Sequence, residues 1–362
     1  MNKKLKIAII GSRGYPYVYS GYETLVKELS ERLVIKGHDV RVYCHSSLFK
    51  NKPKNVNGVK LIYTPSIETK SLSQLINSFF SFIHVCFSSY NTVLVLNAAN
   101  GPFGLLTKIF MKKTFINVDG LEWLRPKWKG LGGIYFRLAA KLSTFFFDVI
   151  ITDSDQMKKI YQDQFKRNST VIAYGSSIKK KSKKNLLSNW KLDKNGYYLV
   201  VGRLIPDNNS MLLIKGFIES NSKKKLVIVG DVPYKDKYAS SVKRIRNKNL
   251  VFTGYVKNDK ILSELYHNCF AYIHGHEFGG TNPTMINALS SNCKILALNT
   301  RFTIEMLKGR NAIFFKKNIN DITNKLNFFE SNFSKFDNNN FLLPDKYKWD
   351  YIVKSYIKIF NY

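Results

Sequence analysis

The chain has few acidic residues, few cysteines and no long apolar run. Its 25 Asp and Glu stand against 57 Lys and Arg, which gives a formal net charge of +32. The four cysteines (Cys44, Cys86, Cys269 and Cys293) are far apart and include no C-x-x-C pair, so we expect reduced core residues and no disulfide framework. No stretch approaches the roughly 18 uninterrupted apolar residues of a membrane-spanning helix, and none before Gly11 suits a signal peptide. These absences predict a cytoplasmic protein.

The excess of Lys and Arg leaves three explanations open. A nucleic-acid-binding protein would concentrate its basic residues among aromatics, whereas here lysine is scattered and the dense run is Ile178–Asn185. A Lys-rich composition that fills solvated surfaces is the plainest explanation. Attraction to an anionic membrane, at about 1 kcal/mol for each basic residue near the surface, can add to it. We expect no nucleic-acid partner.

Short apolar runs alternate with amphipathic stretches along the chain. The pattern predicts a strand at Lys6–Ile10 and a helix at Gly21–Ile35, and it restarts with a strand at Gly196–Val201. Further predicted strands are Val40–Cys44, Val59–Tyr63, Thr92–Leu96, Thr114–Val118, Val149–Thr152, Thr170–Ala173, Leu226–Val229, Leu250–Thr253, Ala271–Ile273 and Lys294–Leu298. Further predicted helices are Leu72–Ser89, Ile134–Phe147, Asn209–Phe217, Lys257–His267, Pro283–Ser290 and Ile319–Phe329. Such alternation is typical of α/β domains with parallel sheets.

Length and composition favour two such domains. A chain of 362 residues exceeds one ordinary domain, and the polar stretch Gly175–Asn195 is the best candidate for a linker. We expect a first domain over residues 1–178, a second over 192–343 and a final helix within 344–362. Ligands of such domains bind outside the carboxyl ends of the strands, and here we expect a cleft between the two domains.

The first strand runs into a glycine-containing loop, Gly11–Pro16, before the helix that opens at Gly21. Glycines let backbone amides approach a ligand, and a helix N-terminus favours an anion. The loop is not a G-x-G-x-x-G motif, and no acidic residue closes the second strand at Cys44-His45, which argues against a dinucleotide enzyme. A turn needed only for packing remains the alternative.

Gly202 and Arg203 repeat this arrangement at the start of the second domain. An Arg just after a strand suits a two-point clamp on phosphate oxygens, although an ordinary surface Arg is the alternative.

The densest polar cluster is Tyr272–Leu289, where a strand leads to a Gly-rich loop and Pro283 begins a helix. Loop amides and the helix N-terminus predict a diphosphate cradle, and Asn287 lies about one turn into the helix, within reach of a ribose.

Two stretches resemble metal motifs but predict no metal. His274-x-His276 has no matching third ligand. Asp153-Ser154-Asp155 resembles a D-x-D motif, yet between a strand and a helix it is better explained as an N-cap. We therefore expect no metal requirement and no cofactor.

Three segments together resemble a family. They are Ile9–Pro16 with Ser20–Thr24, Asn117–Trp123, and the loop Gly279–Pro283. In this order they resemble one branch of retaining glycosyltransferase family four, which includes bacterial rhamnosyltransferases of capsule and cell-wall polysaccharide synthesis. The resemblance runs from Lys6 to a terminal helix at Trp349–Phe360.

The resemblance implies a GT-B fold, in which two Rossmann-like domains face a cleft and the C-terminal helix crosses back to the N-terminal domain. It implies that the C-terminal domain binds a nucleotide-diphospho-sugar and the N-terminal domain the acceptor. The residues implied for the donor are Gly14, Arg203, Gly279, Gly280, Thr281, Asn282 and Asn287. Those implied for the acceptor are Tyr22, Glu23, Glu122 and Arg125, and those for catalysis are Asp119 and Glu277.

The wider family has two Glu residues, eight positions apart, on the loop and helix of the second domain. Gly279 and Asn287 occupy those positions here, and Glu277 lies two residues before the first. Asn can still hydrogen-bond a ribose hydroxyl, without a full charge to strengthen the bond.

The leading hypothesis is therefore a retaining, metal-independent transferase acting at the inner face of the membrane. It would move a sugar, with L-rhamnose from dTDP-rhamnose as one candidate, to a lipid-linked saccharide. A nucleotide-sugar 2-epimerase of the same fold and a non-catalytic nucleotide-sugar-binding subunit are the alternatives. The apolar stretch Leu72–Ser89 carries little charge, so we expect it to lie against the first sheet rather than in a membrane.

Overall fold

A computed structural model describes residues 4–16, 21–67, 69, 73–128, 130–178, 186–232, 234–336 and 341–361. The chain divides into two compact units, Met1–Gly175 with Asp345–Tyr362, and Ser176–Pro344. Of the residues singled out in the sequence, Ser20, Leu72 and most of the basic run at 178–185 lie outside the described residues.

The first unit is built on one sheet of eight strands. They are β1 (Lys6–Ile10), β2 (Asp39–His45), β3 (Asn55–Val56), β4 (Val59–Thr64), β5 (Thr92–Leu96), β6 (Lys113–Asn117), β7 (Val149–Thr152) and β8 (Thr170–Val171). Their order in the sheet is β3-β4-β2-β1-β5-β6-β7-β8, and all pairs are parallel except the hairpin of β3 with β4. The chain builds outward from β1 on one side and then from β5 on the other, so the order reverses between β1 and β5, the point where such sheets bind ligands.

Among the residues that the structure describes, five α-helices connect these strands. They are α1 (Gly21–Ile35), α2 (Ser73–Cys86), α3 (Gly104–Ile109), α4 (Leu131–Phe146) and α5 (Asp155–Phe165). Right-handed crossovers place α1 on one face of the sheet and α2, α3 and α4 side by side on the other. Neighbouring helices in that second layer are in contact, and every residue of β5 is buried beneath them.

The second unit has a six-stranded parallel sheet. Its strands are β9 (Tyr197–Val201), β10 (Lys225–Val229), β11 (Leu250–Gly254), β12 (Ala271–His274), β13 (Ile295–Leu298) and β14 (Ile313–Phe315), in the order β11-β10-β9-β12-β13-β14. Its helices are α6 (Ser210–Glu219), α7 (Lys237–Arg244), α8 (Asp259–Asn268), α9 (Pro283–Ser290), α10 (Arg301–Met306) and α11 (Ile319–Ser331). Here the order reverses between β9 and β12.

The last helix, α12 (Trp349–Phe360), belongs to the first unit. Its apolar face is buried, and it contacts α1. Phe360 meets Phe115 of β6 edge to face with ring centroids 4.9 Å apart. A Cβ placed on Gly175 would lie 2.6 Å from the Trp349 ring, so glycine permits this close packing.

The expected α/β architecture with two parallel sheets is confirmed. The short strands β3 and β14 and the helices α3, α7 and α10 were not predicted. All four cysteines are buried and unbridged, as expected. Within the part of the chain that the structure describes, no helix is both long and apolar enough to cross a membrane.

Candidate donor and transfer sites

In the second unit, two glycine-containing loops leave the carboxyl ends of neighbouring strands. Gly202 and Arg203 follow β9, and the loop Gly275–Asn282 follows β12. The strands pair in register, with Leu199 opposite Tyr272, so the loops emerge side by side. A Cβ on Gly202 would lie 2.5 Å from His276 Nε2, and only glycine permits this approach.

Asn209 joins the two loops. Its Nδ2 donates to the carbonyl oxygen of Gly275 (2.9 Å) and to Glu277 Oε1 (2.8 Å). The Glu277 amide donates in turn to the carbonyl oxygen of Asp207 (3.0 Å). The sequence analysis placed Asn209 only at the start of a predicted helix, and its contacts with the second loop were not predicted.

The carboxylate of Glu277 is also held by a cation. Lys317 Nζ lies 2.6 Å from Glu277 Oε1, the oxygen that accepts from Asn209. Lys317 follows β14, a strand absent from the sequence prediction, so nothing in the sequence linked these residues. The Glu277 carboxylate thus fixes the loop that carries it.

Helix α9 begins immediately after this loop. Asn282 caps it, because its Oδ1 accepts from the Thr284 amide (3.0 Å), and Pro283 occupies the first turn. Gly279 has φ of +109°, a backbone conformation that favours glycine. The arrangement presents the Gly280–Asn282 segment at a helix N-terminus, a favourable place for an anion.

Arg203 follows β9, the strand paired with β12, which leads to this helix. The Arg203 carbonyl oxygen accepts from Asn208 Nδ2 (2.8 Å), which fixes the main chain of the loop. Among the described residues, no side chain forms an ion pair with Arg203, which is half-buried. A planar guanidinium of this kind can bind two phosphate oxygens at once.

Asn287 lies on α9 and is only 8% exposed. Its Oδ1 accepts from the Ser177 amide (3.1 Å) and from Ser176 Oγ (3.3 Å). The oxygen of Asn287 is therefore used within the protein, and among the described residues none accepts a hydrogen bond from its Nδ2. The NH₂ group is the part of this side chain that a ribose hydroxyl can meet.

His274 is a structural residue of this region. It is buried, and Tyr272 Oη lies 2.9 Å from its Nδ1 and 2.8 Å from Thr284 Oγ1. Burial lowers the pKa of His274 to about 3, so the ring is neutral at physiological pH. The described residues contain no group of three His, Cys, Asp or Glu side chains able to hold a metal ion.

In the first unit, a polar cluster follows β6, β7 and β8. Asp119 lies just beyond β6, and its Oδ2 accepts from Tyr174 Oη (3.0 Å). Its carbonyl oxygen accepts from Tyr22 Oη (2.9 Å), and its amide donates to Asn117 Oδ1 (3.2 Å). Tyr22, proposed for acceptor binding, therefore contacts the proposed catalytic acid directly.

Burial dominates the electrostatics of Asp119 and raises the pKa of its carboxyl group. The hydrogen bond from Tyr174, the charge of Arg125 and a hydrogen bond with Asp153 act in the opposite direction, and Glu122 adds to the rise. Tyr174 and Asp153, both almost fully buried, were not among the predicted site residues.

Glu122 and Arg125 share the turn after Asp119. Arg125 Nε lies 3.1 Å from Glu122 Oε1, and Trp128 Nε1 donates to Glu122 Oε2 (2.8 Å). Gly120, with φ of +91°, allows the turn. Two of the four residues predicted for the acceptor are thus in contact, and Glu122 contacts both Arg125 and Trp128.

The first glycine loop, Gly11–Pro16, is held in place by contacts with buried residues of the first unit. Glu23 is buried and its Oε1 accepts from the Arg13 amide (3.0 Å). Gly14 has φ of +120°, and a Cβ there would lie 2.8 Å from Cys44 Sγ. These contacts show how the loop is packed, and the roles of Gly14 in donor binding and of Glu23 in acceptor binding stay predictions.

The Asp153–Asp155 stretch supplies a helix cap, as expected. Ser154 Oγ accepts from the Met157 amide (3.2 Å) at the start of α5.

Comparison with known families divides the chain at nearly the same place as its fold. Residues 4–177 match the family described as "Domain of unknown function (DUF1972)", and residues 180–339 match "Glycosyl transferases group 1". An uncharacterized glycosyltransferase of Methanocaldococcus jannaschii is 27% identical over 218 residues, 55% of this chain. The aligned part spans about half of that relative, 52% of its length.

Solved structures share the fold over nearly the whole chain. Sucrose-phosphate synthase of Thermosynechococcus elongatus is 14% identical, with a TM-score of 0.81 over 99% of this chain and 98% of that one. Anabaena HepE, in complex with UDP and glucose, is 14% identical, with a TM-score of 0.77 over 99% of each chain. WaaG, a glycosyltransferase involved in lipopolysaccharide biosynthesis, is 14% identical, with a TM-score of 0.67 over 97% and 95%. These structures show that the chain has the GT-B fold, and residues 180–339 match the family model of the group 1 glycosyltransferases.

Proposed function

We propose that the protein is a retaining, metal-independent glycosyltransferase that transfers a sugar from a nucleotide-diphospho-sugar to a lipid-linked saccharide in surface-polysaccharide synthesis. The proposed donor is dTDP-L-rhamnose, because the glycine loops of this chain resemble those of rhamnosyltransferases. The observation that carries the proposal is the pair of loops after β9 and β12. They bring Arg203 and the N-terminus of α9 to the reversal point of one sheet.

The chemistry of these loops fits a nucleoside diphosphate. Arg203 supplies a full positive charge, and the Gly280–Asn282 amides supply hydrogen-bond donors. Both stabilise the negative charge of the diphosphate as it leaves. In other transferases a metal ion neutralises this charge. HepE, a structure of the same fold, was solved with UDP-glucose, which supports a nucleotide-sugar donor here.

Asp119 and Glu277 are the proposed catalytic acids. Asp119 accepts a hydrogen bond from a hydroxyl of the donor sugar and stabilises positive charge developing at the anomeric carbon. Glu277, fixed by Asn209 and Lys317, supplies negative charge to the donor loop. Glu122 and Arg125 are proposed to contact the acceptor.

One observation favours a binding role without transfer. Asn287 replaces a family Glu, and its oxygen is already used by Ser176 and Ser177. The ribose would then be held by a neutral donor alone, a weaker contact than one with a carboxylate. A non-catalytic nucleotide-sugar-binding subunit is therefore the second candidate, and a 2-epimerase the third.

A labelled-donor assay separates the three functions. The purified protein is incubated with dTDP-rhamnose, UDP-glucose or a GDP-sugar, with and without an undecaprenyl-diphosphate-linked saccharide, in the presence of EDTA. The proposal expects transfer with retention of anomeric configuration only when acceptor is present. Epimerised sugar from donor alone would establish an epimerase. Tight binding by calorimetry without any turnover would establish the non-catalytic subunit and overturn the proposal.

The lipid-linked acceptor implies a membrane surface, and the α2–α3–α4 layer offers one. These helices and the turns after α2 and α3 expose twelve large apolar side chains: Phe79, Phe80, Ile83, Phe87, Leu105, Ile109, Phe110, Met111, Leu131, Ile134, Leu138 and Phe145. Helices α2, α3 and α4 contain no acidic residue, whereas Lys108, Arg137 and Lys141 are exposed on them. Exposed apolar groups among cations fit an anionic bilayer.

This surface refines the expectation for the stretch Leu72–Ser89. One side of α2 is buried, with Phe82 and Val85 fully covered, as expected. The opposite side remains exposed, and Phe87 is 77% accessible.

Vesicle flotation tests the membrane surface. We expect the protein to float with vesicles containing anionic phospholipid at physiological salt and less with zwitterionic ones. Replacing both Phe87 and Met111 with Ser should reduce the affinity for vesicles by about 100-fold or more, since each substitution loses roughly 1.5–3 kcal/mol of burial. Leu342→Ser, at an equally exposed site of the second unit, is the control. Equal flotation of all variants would exclude this surface.

A further inference from the structure

A cavity of about 830 Å³ lies near the β3–β4 edge of the first sheet, between β4 and α2. In the paired strands Arg41 of β2 lies opposite Lys60 of β4, and two positions further along Tyr43 lies opposite Ile62. Because side chains alternate along a strand, these residues share one face of the sheet. Helix α2 packs on that face, since His84 Nδ1 lies 2.9 Å from Tyr43 Oη. None of the residues proposed for the donor, the acceptor or catalysis is among the described residues that line this cavity.

The cavity is lined by three cations and, among the described residues, by no acid. The cations are Arg41, Lys54 and Lys60. Lys60 is compensated, because its Nζ lies 2.8 Å from Asp39 Oδ2. In the part of the chain that the structure describes, neither Arg41 nor Lys54 forms an ion pair. Partial burial and the charge of Arg41 lower the pKa of His84, so its ring adds no charge at neutral pH, and the cavity as a whole attracts anions.

Arg41 is held in place by a buried ring. Its guanidinium carbon lies over the Tyr90 ring, 4.1 Å from the centroid, and the Tyr90 hydroxyl donates to Asp39 Oδ1 (2.7 Å). Stacking of this kind fixes the plane of the guanidinium and leaves its N–H groups for other partners. Arg41 Nε is buried and has no hydrogen-bond partner among the described residues. An incoming acceptor would supply the hydrogen bond that the protein itself does not.

Most of the remaining lining is apolar. Leu61, Ile62, Pro65 and Phe80 form an apolar wall of the cavity. Phe80 is 41% exposed and also belongs to the apolar surface of α2, α3 and α4, so the cavity borders the proposed membrane surface. A free inorganic anion would use the cations and leave this wall in contact with water. An amphipathic anion uses both, since its apolar part covers the wall.

We propose that this cavity binds one anionic phospholipid of the bilayer, with its phosphate at Arg41 and an acyl chain along the apolar wall. The inference rests on the proposed function, of which the membrane surface is a part. Arg41 supplies a planar fork that can bind two phosphate oxygens, and Lys54 supplies a second positive charge. Scattered surface lysines attract an anionic membrane without a fixed geometry, whereas a stacked guanidinium beside an apolar wall selects a single lipid molecule.

Binding of monomeric lipid tests the site without a bilayer. The full chain is titrated by calorimetry with dihexanoyl-phosphatidylglycerol below its critical micelle concentration, and separately with dihexanoyl-phosphatidylcholine and with inorganic phosphate. We expect saturable binding of phosphatidylglycerol and affinities about tenfold weaker or less for the other two, because one has no net charge and the other has no acyl chain. Equal binding of phosphatidylcholine would show an apolar groove without head-group recognition. Equal binding of inorganic phosphate would show a simple anion site, and either result would overturn the proposal.

Three variants locate the site. Arg41→Gln should weaken phosphatidylglycerol binding about tenfold or more, because the charge and the two-point contact are both lost. Lys54→Gln, at an exposed position, should fold as the wild type does and weaken binding a few-fold. Arg137→Gln removes the same charge from an exposed site on α4 and is the matched control, with unchanged affinity expected. Circular dichroism checks that each variant is folded. Unchanged affinity in either folded cavity variant, or an equal loss in Arg137→Gln, would overturn the proposal.

The lipid titration needs neither donor nor acceptor, so it is independent of turnover. A protein that binds phosphatidylglycerol through Arg41 but transfers no sugar in the labelled-donor assay would refute the proposed function and leave the lipid site intact. A protein that transfers sugar but binds no phosphatidylglycerol would overturn this inference alone.

Discussion

Arg203 provides the sharpest test of the donor site. In Arg203→Gln the side chain keeps polarity and much of its length but loses the charge and the two-point contact with phosphate. The guanidinium has no ion-pair partner among the described residues, so the free energy of unfolding should hardly change. Nucleotide affinity should fall instead, since hydrogen bonds to charged groups contribute about 1.5–3 kcal/mol. Because Arg203 is half-exposed, we expect the loss of only one such contribution in total. This loss corresponds to a rise in the Kd for the nucleotide of roughly 10- to 150-fold.

Isothermal titration calorimetry with dTDP and with UDP measures this change. Arg244→Gln, at the exposed end of α7 in the same unit, removes the same charge away from the loops and is the matched control. Thymidine, which lacks phosphate, should bind both variants as it binds the wild type. An equal loss of dTDP affinity in Arg244→Gln would show a general charge effect. An unchanged Kd in Arg203→Gln would refute the phosphate clamp.

Three further predictions concern the same unit. Gly202→Ala should weaken dTDP binding by calorimetry, because the added Cβ would lie 2.5 Å from His276 Nε2 and force the His276 ring in the second loop to move, and unchanged binding would contradict the close approach of the loops. Glu277→Gln should shift Tm little, since Lys317 is 54% exposed and such an ion pair contributes about 0.2–1 kcal/mol. Its kcat should fall by up to about 100-fold, because the donor loop loses the ion pair that fixes it, and a near-normal kcat in the transfer assay would remove Glu277 from the mechanism. His274→Asn should reduce the pH dependence of stability, measured by urea unfolding at several pH values. The folded pKa of His274, about 3, lies below its unfolded value, so the wild type loses stability as pH falls from about 6.5 toward 3, at up to about 1.4 kcal/mol per pH unit. Equal slopes in both proteins would refute the neutral buried ring.

Hydrophobic period and turn residues were enough to predict most of the fold. Fully buried strands such as β5 and β9 read as unbroken apolar runs, and the restart at Gly196 marked a second sheet. The hydrophobic pattern failed to predict element boundaries and short strands where the local sequence has a weak signal. Helix α4 begins at Leu131 and not at Ile134, because Gly132 and Gly133 in its first turn weaken the helical signal. Strand β3 has only two residues, too few to show a period.

Only those parts of the candidate sites that lie within a single loop could be predicted from the sequence. The segment Gly279–Asn282 could be recognised because glycines, a capping Asn and Pro283 are consecutive. The contacts of Glu277 with Lys317, and of Asp119 with Tyr174, join residues 40 and 55 positions apart, as 317 − 277 and 174 − 119 show. No period or spacing encodes such pairs, since they depend on strand order in the sheets. The same holds for Asp153, whose environment only the neighbouring strands reveal.

The position of α12 sets an order on folding. The second unit is continuous in sequence, from Ser176 to Pro344, whereas the first is completed by residues that follow it. During synthesis the second unit can therefore fold while the first still lacks Trp349, Ile352 and Phe360, which are buried in it. The apolar surface of the first unit that α12 covers therefore stays exposed until residue 360 has been synthesised. At an elongation rate of about 5–20 residues per second, the last 185 residues (from 176 to 360) take roughly 9–37 s. The first unit, although it begins the chain, is thus the last to be completed.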